Sequence, residues 1–295
     1  MSFRFAGAYV AIVTPFRNGR VDEEALRALV EFQIAAGTDG VVPCGTTGES
    51  ATLSHDEHGR VVEIVVKAAA KRVPVLAGTG SNSTDEAIAL TRRAKSAGAD
   101  GALLITPYYN KPTQDGLIRH FRAVADAVDI PIVLYNVPGR TAVNMLPATV
   151  AEISRHPRIV GIKEATANLD QISEVIERCG PDFAVISGDD MTFLPTLAIG
   201  GVGVISVTAN VAPDRIASLC DAWTRGDRDE ALRVHQSLQP LNRAMFLETN
   251  PIPVKTALSL MGKCSDEMRL PLSPMGEGNK EKLRTVMRAA GLVRA

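Results

Sequence analysis

The chain has few aromatic residues and few cysteines. Phenylalanine, tryptophan and tyrosine make up only 4% of its 295 residues, and its four cysteines are scattered without a C-x-x-C pair. Isolated thiols of this kind are typical of a reduced, cytoplasmic protein, and they argue against a disulfide framework or a structural zinc site. We therefore expect a cytoplasmic location and no bound metal.

The chain also lacks a charge excess and a long apolar run. Its net charge is −1 and no Lys/Arg cluster stands out, which argues against nucleic acid as a partner. The first six residues are not those of a signal peptide, and no segment is long enough to span a bilayer. Hydrophobic residues make up 45% of the chain, so it can bury a large core.

Short apolar runs alternate with segments of helical periodicity along the first three quarters of the chain. We predict strands at residues 9–13, 40–44, 73–77, 101–105, 130–135, 159–163, 183–187 and 201–207. Helices are predicted between them, for example at residues 23–36, 56–70, 84–97 and 113–127, with Asp22 and Ser83 as N-caps and Gly37 and Gly98 as C-caps. Eight such units predict an α/β fold, a closed (β/α)8 TIM barrel.

A dinucleotide-binding Rossmann fold is the structural alternative. Gly78-Thr79-Gly80 follows the third predicted strand, but no third glycine completes the G-x-G-x-x-G pattern, so we discount it. After about residue 224 the strand signal stops and helices are predicted at 227–238, 253–261 and 278–290. We therefore divide the chain into a barrel domain, 1–224, and a carboxy-terminal helical extension, 225–295, packed directly on it.

Lys163 is the only charged residue in the apolar run 159–163. A buried ammonium loses its hydration, and desolvation favours the neutral amine, which is a nucleophile for carbonyl compounds. The alternative is a lysine whose amine simply reaches water from the strand end. Strand parity places Gly161 and Lys163 on one face and Val160 and Ile162 on the other, so Lys163 is expected to point into the barrel.

Other polar residues follow the carboxyl ends of the predicted strands, where barrels of this kind carry their chemistry. Tyr135 ends the strand before Lys163 and is placed to exchange protons with it. Gly45-Thr46-Thr47-Gly48 fits an anion-binding turn, and Arg140 fits a carboxylate clamp. Asp189-Asp190 is better explained by capping of the next helix than by a metal.

Several longer motifs resemble the dihydrodipicolinate synthase / N-acetylneuraminate lyase family of class I aldolases. The resemblance runs through the whole chain, in order and spacing. Its motifs are Val10-Ala11-Ile12-Val13-Thr14-Pro15-Phe16, Gly45-Thr46-Thr47-Gly48-Glu49-Ser50, Thr106-Pro107-Tyr108-Tyr109-Asn110-Lys111-Pro112, Tyr135-Asn136-Val137-Pro138-Gly139-Arg140-Thr141 and Gly161-Ile162-Lys163-Glu164-Ala165-Thr166.

The resemblance implies a lyase that needs no cofactor and condenses pyruvate with L-aspartate 4-semialdehyde to 4-hydroxy-tetrahydrodipicolinate, in lysine and diaminopimelate biosynthesis. It further implies a homotetramer, a dimer of dimers. The implied roles are Lys163 as the Schiff-base lysine, Tyr135 as general acid/base, Thr46 and Tyr109 (of a neighbouring subunit) as its proton relay, Thr47 and Ile205 as pyruvate contacts and Arg140 as the semialdehyde contact.

Feedback inhibition by L-lysine is a further implication. The positions that match a lysine site in feedback-sensitive members of the family are Ser50, Ala51, His55, His58, Asn82, Glu86 and Tyr108. His55, His58 and Glu86 are alternatively ordinary polar residues of helices. Two other functions compete with the synthase: a related pyruvate-dependent aldolase acting on a sugar acid such as N-acetylneuraminate, and a non-catalytic sensor of keto acids.

Overall fold

The computed structural model describes residues 5–294 and confirms the predicted barrel. Residues 1–4, on which much of the signal-peptide argument rests, lie outside the described residues, as does residue 295. In chain order, the first to eighth barrel strands span Gly7–Ala11, Gly40–Val42, Leu76–Gly78, Gly101–Ile105, Ile132–Asn136, Ile159–Glu164, Ala184–Ser187 and Gly203–Ser206.

The eight strands form one parallel sheet that is nearly closed on itself. Its order is second, first, eighth, seventh, sixth, fifth, fourth and third. A single parallel bridge between Val41 and Val75 joins the two ends. The carboxyl ends of all eight strands therefore meet at one rim, where the candidate site lies.

Helices follow the strands and cover the outside of the barrel. They span Glu23–Ala35, His55–Ala69, Thr84–Ala97, Gln114–Ala127, Pro138–Thr141, Pro147–Ser154, Leu169–Cys179, Phe193–Ala198, Pro213–Thr224, Arg228–Ala244, Ile252–Leu260 and Glu277–Ala289. Short 3-10 turns at Ser50–Thr52 and Thr208–Asn210 and a small hairpin of Phe16–Arg17 with Arg20–Val21 complete the elements. Within residues 5–294, no helix combines the length and apolar composition needed to cross a membrane.

The predicted helix ends agree with the structure. The side chains of Asp22 and Ser83 accept hydrogen bonds from backbone N–H groups in the first turns of their helices. Gly98 caps its helix in the left-handed region, and Gly37, with φ of +90°, directly follows the cap residue Ala36.

The helix Arg228–Ala244 is longer than predicted. The prediction ended it at residue 238, two residues before Pro240, which lacks the N–H that a helix interior uses. The structure continues the helix through Pro240. Leu241 and Ala244 in its last turn are buried, at 2% and 3% exposure, and their packing offsets the local cost of the proline.

Residues of the carboxy-terminal helices share a hydrophobic cluster with the first barrel strands. Leu238, Leu241 and Met245 belong to the same hydrophobic cluster as Val10 and Val41 of the first two strands. The boundary that we drew after residue 224 remains a prediction, since this shared core gives no separate measure of two domains.

One assignment of strand faces was wrong. Val160 was expected to face the helices together with Ile162, but it packs against the cluster inside the barrel, whereas Ile162 faces the helices. The pairing of the fifth and sixth strands shifts here: Ile132 is opposite Ile159, and Val133 is opposite Gly161. Val160 is therefore an extra residue in the sixth strand, which reverses the face that simple alternation assigns to it.

His120 generates a prediction about stability. This residue is 6% exposed, its Nδ1 lies 3.0 Å from the hydroxyl of Thr84, and its ring packs edge-on against Phe121. Burial lowers the pKa of His120 to about 4. The unfolded chain, with an ordinary histidine pKa of about 6.5, therefore binds this proton more tightly than the folded chain, so stability falls as pH drops from about 6.5 toward 4.

We expect His120→Gln to remove part of that fall, up to roughly 3 kcal/mol at the acid end. The measurement is the denaturant-unfolding free energy of wild type and variant between pH 7.5 and 4.5. His156→Gln is the matched control, since that ring lies 3.1 Å from the exposed Asp126. A His120→Gln curve parallel to the wild-type curve would contradict the prediction.

Candidate active site

Lys163 is buried at the carboxyl end of the sixth strand, with 6% exposure. It lies directly opposite Tyr135 of the fifth strand, and its Nζ is 4.3 Å from the centre of the Tyr135 ring. The described part of the chain gives this amine neither an ion pair nor a hydrogen bond. An amine that no carboxylate occupies, beside a tyrosine, is placed to attack a carbonyl carbon as a nucleophile.

Gly188 provides the space for the lysine side chain. A Cβ at this position would lie 3.0 Å from Cε and 3.1 Å from Cγ of Lys163, and 2.7 Å from Cβ of Ala165. Gly188 directly follows the seventh strand, next to the sixth in the sheet. The neighbouring strand end therefore fixes the path of the Lys163 side chain.

The loop after the second strand carries Thr46 and Thr47. Thr46 lines a small cavity of about 40 Å³ together with Tyr135, so the structure brings these two predicted residues together. Thr47 is 3% exposed, and its hydroxyl oxygen accepts a hydrogen bond from Nδ2 of Asn250 at 3.0 Å. The sequence analysis missed Asn250, which is more than 200 positions away in the chain and has no local motif that points to the barrel.

Arg140 lies in the short helix Pro138–Thr141 at the rim. Its guanidinium donates to the backbone carbonyl of Asn250 at 3.0 Å. Arg140 is exposed and lines a cavity of about 490 Å³ together with Thr46 and Asn250. An arginine on the wall of an open cavity is placed to meet a carboxylate that enters from solvent.

Glu164, next to Lys163, is a second residue that the sequence analysis did not single out. It is 1% exposed and points away from the barrel interior, where it accepts hydrogen bonds from Nδ2 of Asn136, Nε2 of Gln171 and the backbone N–H of Thr166. Burial raises the pKa of Glu164, and these hydrogen bonds oppose that rise. Asn136 follows Tyr135, so the Asn136–Glu164 contact ties together the two strand ends that carry Tyr135 and Lys163.

Tyr109 and Ile205 differ in their surroundings. Ile205 is buried in the eighth strand, within the interior cluster that also contains Tyr135. Tyr109 is 90% exposed and has a left-handed backbone, with φ of +74°. Within this chain the Tyr109 ring is therefore not packed beside Tyr135 or Thr46.

Most of the predicted lysine-site residues line the large cavity. His55 Nε2 lies 2.8 Å from Glu86 Oε1, and Ser81 donates a short hydrogen bond to the other carboxylate oxygen. The Ser81 bond first, and the His55 bond second, hold the pKa of Glu86 below its usual value. The predicted residues on this wall are Ser50, Ala51, His55, His58, Glu86 and Tyr108.

His58 and Asn82, two of the predicted lysine-site residues, form hydrogen bonds outside the His55–Glu86 contact. His58 is buried and its Nε2 donates to the carbonyl of Gly78 at 2.8 Å, and burial lowers the pKa of the ring. Asn82, whose side chain is not part of the cavity wall, accepts a hydrogen bond at its backbone carbonyl from Asn110. The structure thus brings six of the seven residues to one wall.

Asp189 and Asp190 bind backbone groups, but not as a simple helix cap. Asp189 accepts from the backbone and hydroxyl of Thr192. Asp190 is fully buried and accepts from the backbone N–H groups of Val207 and Thr208, after the eighth strand. Burial raises the pKa of Asp190. The Asp190 carboxylate connects the segment after the seventh strand to the segment after the eighth, a tertiary contact that the local sequence does not reveal.

Comparison with known proteins places this site in a family. Residues 4–290 match the Dihydrodipicolinate synthetase family. A 4-hydroxy-tetrahydrodipicolinate synthase of Thermodesulfovibrio yellowstonii is 60% identical over 290 residues, which cover 98% of this chain and all of that protein. The chain belongs to the Dihydrodipicolinate synthetase family, and it is an enzyme of the lyase type.

Solved structures agree with this assignment. The dihydrodipicolinate synthase of Aquifex aeolicus is 50% identical with a TM-score of 0.96, and the match covers 98% of this chain and 99% of that one. The chloride-inhibited dihydrodipicolinate synthase of Acinetobacter baumannii, solved in complex with pyruvate, is 46% identical with a TM-score of 0.96, covering 98% and 99% of the two chains.

The contact between Gly188 and Lys163 generates a prediction. We expect Gly188→Ala to displace the Lys163 side chain from the Tyr135 ring and to slow covalent trapping of a keto acid on Lys163 at least tenfold, because the new methyl group overlaps the lysine stem. Borohydride trapping with mass spectrometry measures the rate. Gly139→Ala is the matched control on the same rim, since its Cβ would meet no atom within 4 Å. Equal trapping rates in the two variants would rule out this steric role.

Proposed function

We propose that this chain is a Schiff-base synthase that condenses pyruvate with L-aspartate 4-semialdehyde to 4-hydroxy-tetrahydrodipicolinate, in lysine and diaminopimelate biosynthesis. The name of its 60% identical relative supports this reaction. The observation that carries the proposal is the buried amine of Lys163 beside Tyr135, which has no ion pair or hydrogen bond among the described residues.

In the proposed reaction, the Lys163 amine attacks the keto carbon of pyruvate, and loss of water gives an imine. Removal of a proton from the pyruvate methyl gives an enamine, whose carbon adds to the aldehyde of the second substrate. The amino group of that substrate then attacks the imine carbon, which closes the ring and releases Lys163. Tyr135 donates and accepts the protons of the imine steps.

The remaining predicted residues are assigned to binding. Thr47 and the backbone carbonyl of Ile205 hold pyruvate, and Thr46 takes part in proton transfer with Tyr135. Arg140, on the open side of the cavity, binds the carboxylate of the semialdehyde, which arrives after pyruvate. A charge-assisted contact of this kind contributes about 1.5–3 kcal/mol.

A second buried lysine provides an internal comparison. Lys255 is 0% exposed, but its Nζ lies 2.6 Å from Glu49 Oε1 and 2.6 Å from the carbonyl of Glu267. Its amine is thus engaged by a carboxylate and a carbonyl, whereas residues 5–294 offer the amine of Lys163 neither partner. Of these two buried lysines, we therefore propose Lys163 as the nucleophile, because the Lys255 amine is already bound by Glu49.

The test is borohydride reduction with pyruvate, followed by peptide mass mapping. We expect reduced pyruvate on the peptide that contains Lys163 and none on the peptide that contains Lys255. Lys163→Ala should fold normally, because loss of an unpaired buried amine need not destabilise the barrel, while its turnover falls by several orders of magnitude. Label on Lys255, or full labelling of Lys163→Ala, would refute the mechanism.

The aldehyde is tested separately from the imine. Pyruvate is supplied with L-aspartate 4-semialdehyde or with N-acetylmannosamine, the aldehyde partner of a sugar-acid aldolase, and product formation is followed. We expect product when pyruvate is paired with the semialdehyde and none when it is paired with N-acetylmannosamine. Product from pyruvate and N-acetylmannosamine, with none from the semialdehyde, would leave the proposed imine chemistry intact and make the sugar the second substrate.

We also propose that the enzyme is a homotetramer, a dimer of dimers, in which Tyr109 of a neighbouring subunit completes a relay with Thr46 and Tyr135. The 90% exposure of the Tyr109 ring and its left-handed backbone support this role, since a large aromatic side chain held outward is suited to a partner. A solved dihydrodipicolinate synthase variant, 45% identical with a TM-score of 0.96, is monomeric.

We further propose that L-lysine inhibits the enzyme from the wall formed by His55, His58 and Glu86. The lowered pKa of Glu86 keeps an anion in the cavity, where it can pair with an ammonium group. A dihydrodipicolinate synthase of Cyanidioschyzon merolae, 41% identical with a TM-score of 0.95, was solved with lysine bound. Tyr108 on this wall adjoins Tyr109, which gives a short route from the ligand to the relay.

We expect titration with L-lysine to give partial inhibition, and Glu86→Ala to weaken that inhibition without loss of uninhibited activity. The measurement is the initial rate at saturating substrates with 0 to several millimolar L-lysine. Glu63→Ala, at a glutamate of the helix His55–Ala69 that pairs with Arg60, is the control and should keep wild-type inhibition. Full wild-type activity at millimolar L-lysine would refute the regulatory role and leave the catalytic one intact.

A further inference from the structure

Lys255 and Glu49 form an ion pair in which both side chains are buried. The side chains are 0% and 1% exposed, and their nitrogen–oxygen distance is 2.6 Å. Lys255 Nζ also donates to the carbonyl of Glu267 at 2.6 Å and lies 4.3 Å from the centre of the Phe16 ring. A buried ion pair with this many additional contacts holds its two chain segments in one fixed arrangement, since either charge left alone would be strongly disfavoured.

Glu49 belongs to the loop that carries Thr46 and Thr47. Its backbone is in the left-handed region, with φ of 53°, an uncommon conformation for a residue with a long side chain. Its backbone N–H donates to the carbonyl of Thr46 at 3.1 Å. This hydrogen bond links Glu49 directly to the turn that carries Thr46.

Both residues that bind the Glu49 carboxylate come from the extension. Besides Lys255, the backbone N–H of Arg269 donates to Glu49 Oε2 at 3.4 Å. The Arg269 guanidinium binds the carbonyl of Thr52 in the same loop and Glu57 in the helix that follows. Nearer the catalytic centre, Asn250 donates to Thr47. Residues 250–269 therefore contact residues 45–53, here called the threonine loop, at Thr47, Glu49 and Thr52.

We propose that Lys255 and Glu49 are positioning residues for catalysis: their buried ion pair holds the threonine loop in the conformation that binds pyruvate. The helical extension is then a part of the active site through this contact, although neither charged group touches the substrate. This inference rests on the proposed function for its kinetic readout. Its structural readout, the order of the loop, is independent of the substrate.

The test compares Lys255→Met with wild type. Loss of the pair should raise the KM for pyruvate at least tenfold and slow borohydride trapping on Lys163 to a similar extent, while the KM for the semialdehyde changes less than threefold. Hydrogen exchange of the backbone amides in residues 45–53 should accelerate at least tenfold, while exchange in the helix Gln114–Ala127 stays unchanged. Glu49→Gln, which keeps the size and shape of the side chain, should change both readouts in the same direction.

Leu238→Ala is the control for general destabilisation. Leu238 is 1% exposed in the helix Arg228–Ala244 of the extension, so its truncation lowers stability without touching the ion pair. This variant should keep the pyruvate KM and the exchange of residues 45–53 near wild type. Wild-type values in both Lys255→Met and Glu49→Gln, or equal changes in Leu238→Ala, would overturn the proposal. Failure of pyruvate to label wild type would instead refute the proposed function, and hydrogen exchange would still decide the positioning role.

Discussion

The register between the fifth and sixth strands is the constraint on which the site depends. It sets Tyr135 opposite Lys163 and Asn136 opposite Glu164, so that one pair points into the barrel and the next points out toward the helices. The inward pair brings an amine to a phenol ring, and the outward pair is hydrogen-bonded. A slip of one residue would exchange these two environments and place the carboxylate, in place of the amine, inside the barrel.

The barrel itself was predictable from the sequence because it depends on local patterns. Apolar runs bounded by caps such as Asp22 and Ser83 report on neighbouring residues only, and all eight predicted strands are present. Val160 shows where this reasoning fails. The extra residue in the sixth strand is defined by its pairing with the fifth strand, and no feature of the residues near Val160 reveals the shift.

The residues of the site also fall into those that the sequence predicts and those that only the structure shows. Lys163 and Tyr135 could be selected from the sequence because each is a polar residue at the end of an apolar strand. Lys255 and Asn250 could not, since their partners Glu49 and Thr47 are 206 and 203 positions away. Lys255 is the only charged residue of the helix Ile252–Leu260, a pattern like that of Lys163, and only the folded structure shows that it is the more deeply buried of the two lysines.

The sequence separation between Glu49 and Lys255 has a consequence for biosynthesis. A chain emerging from the ribosome presents the Glu49 carboxylate 206 residues before its partner exists. At about 5–20 residues per second, this interval is roughly 10–40 s, during which the carboxylate remains in water. The threonine loop therefore reaches its final environment only when synthesis is almost complete, and an unfinished chain with most of its strands already formed still lacks a finished catalytic centre.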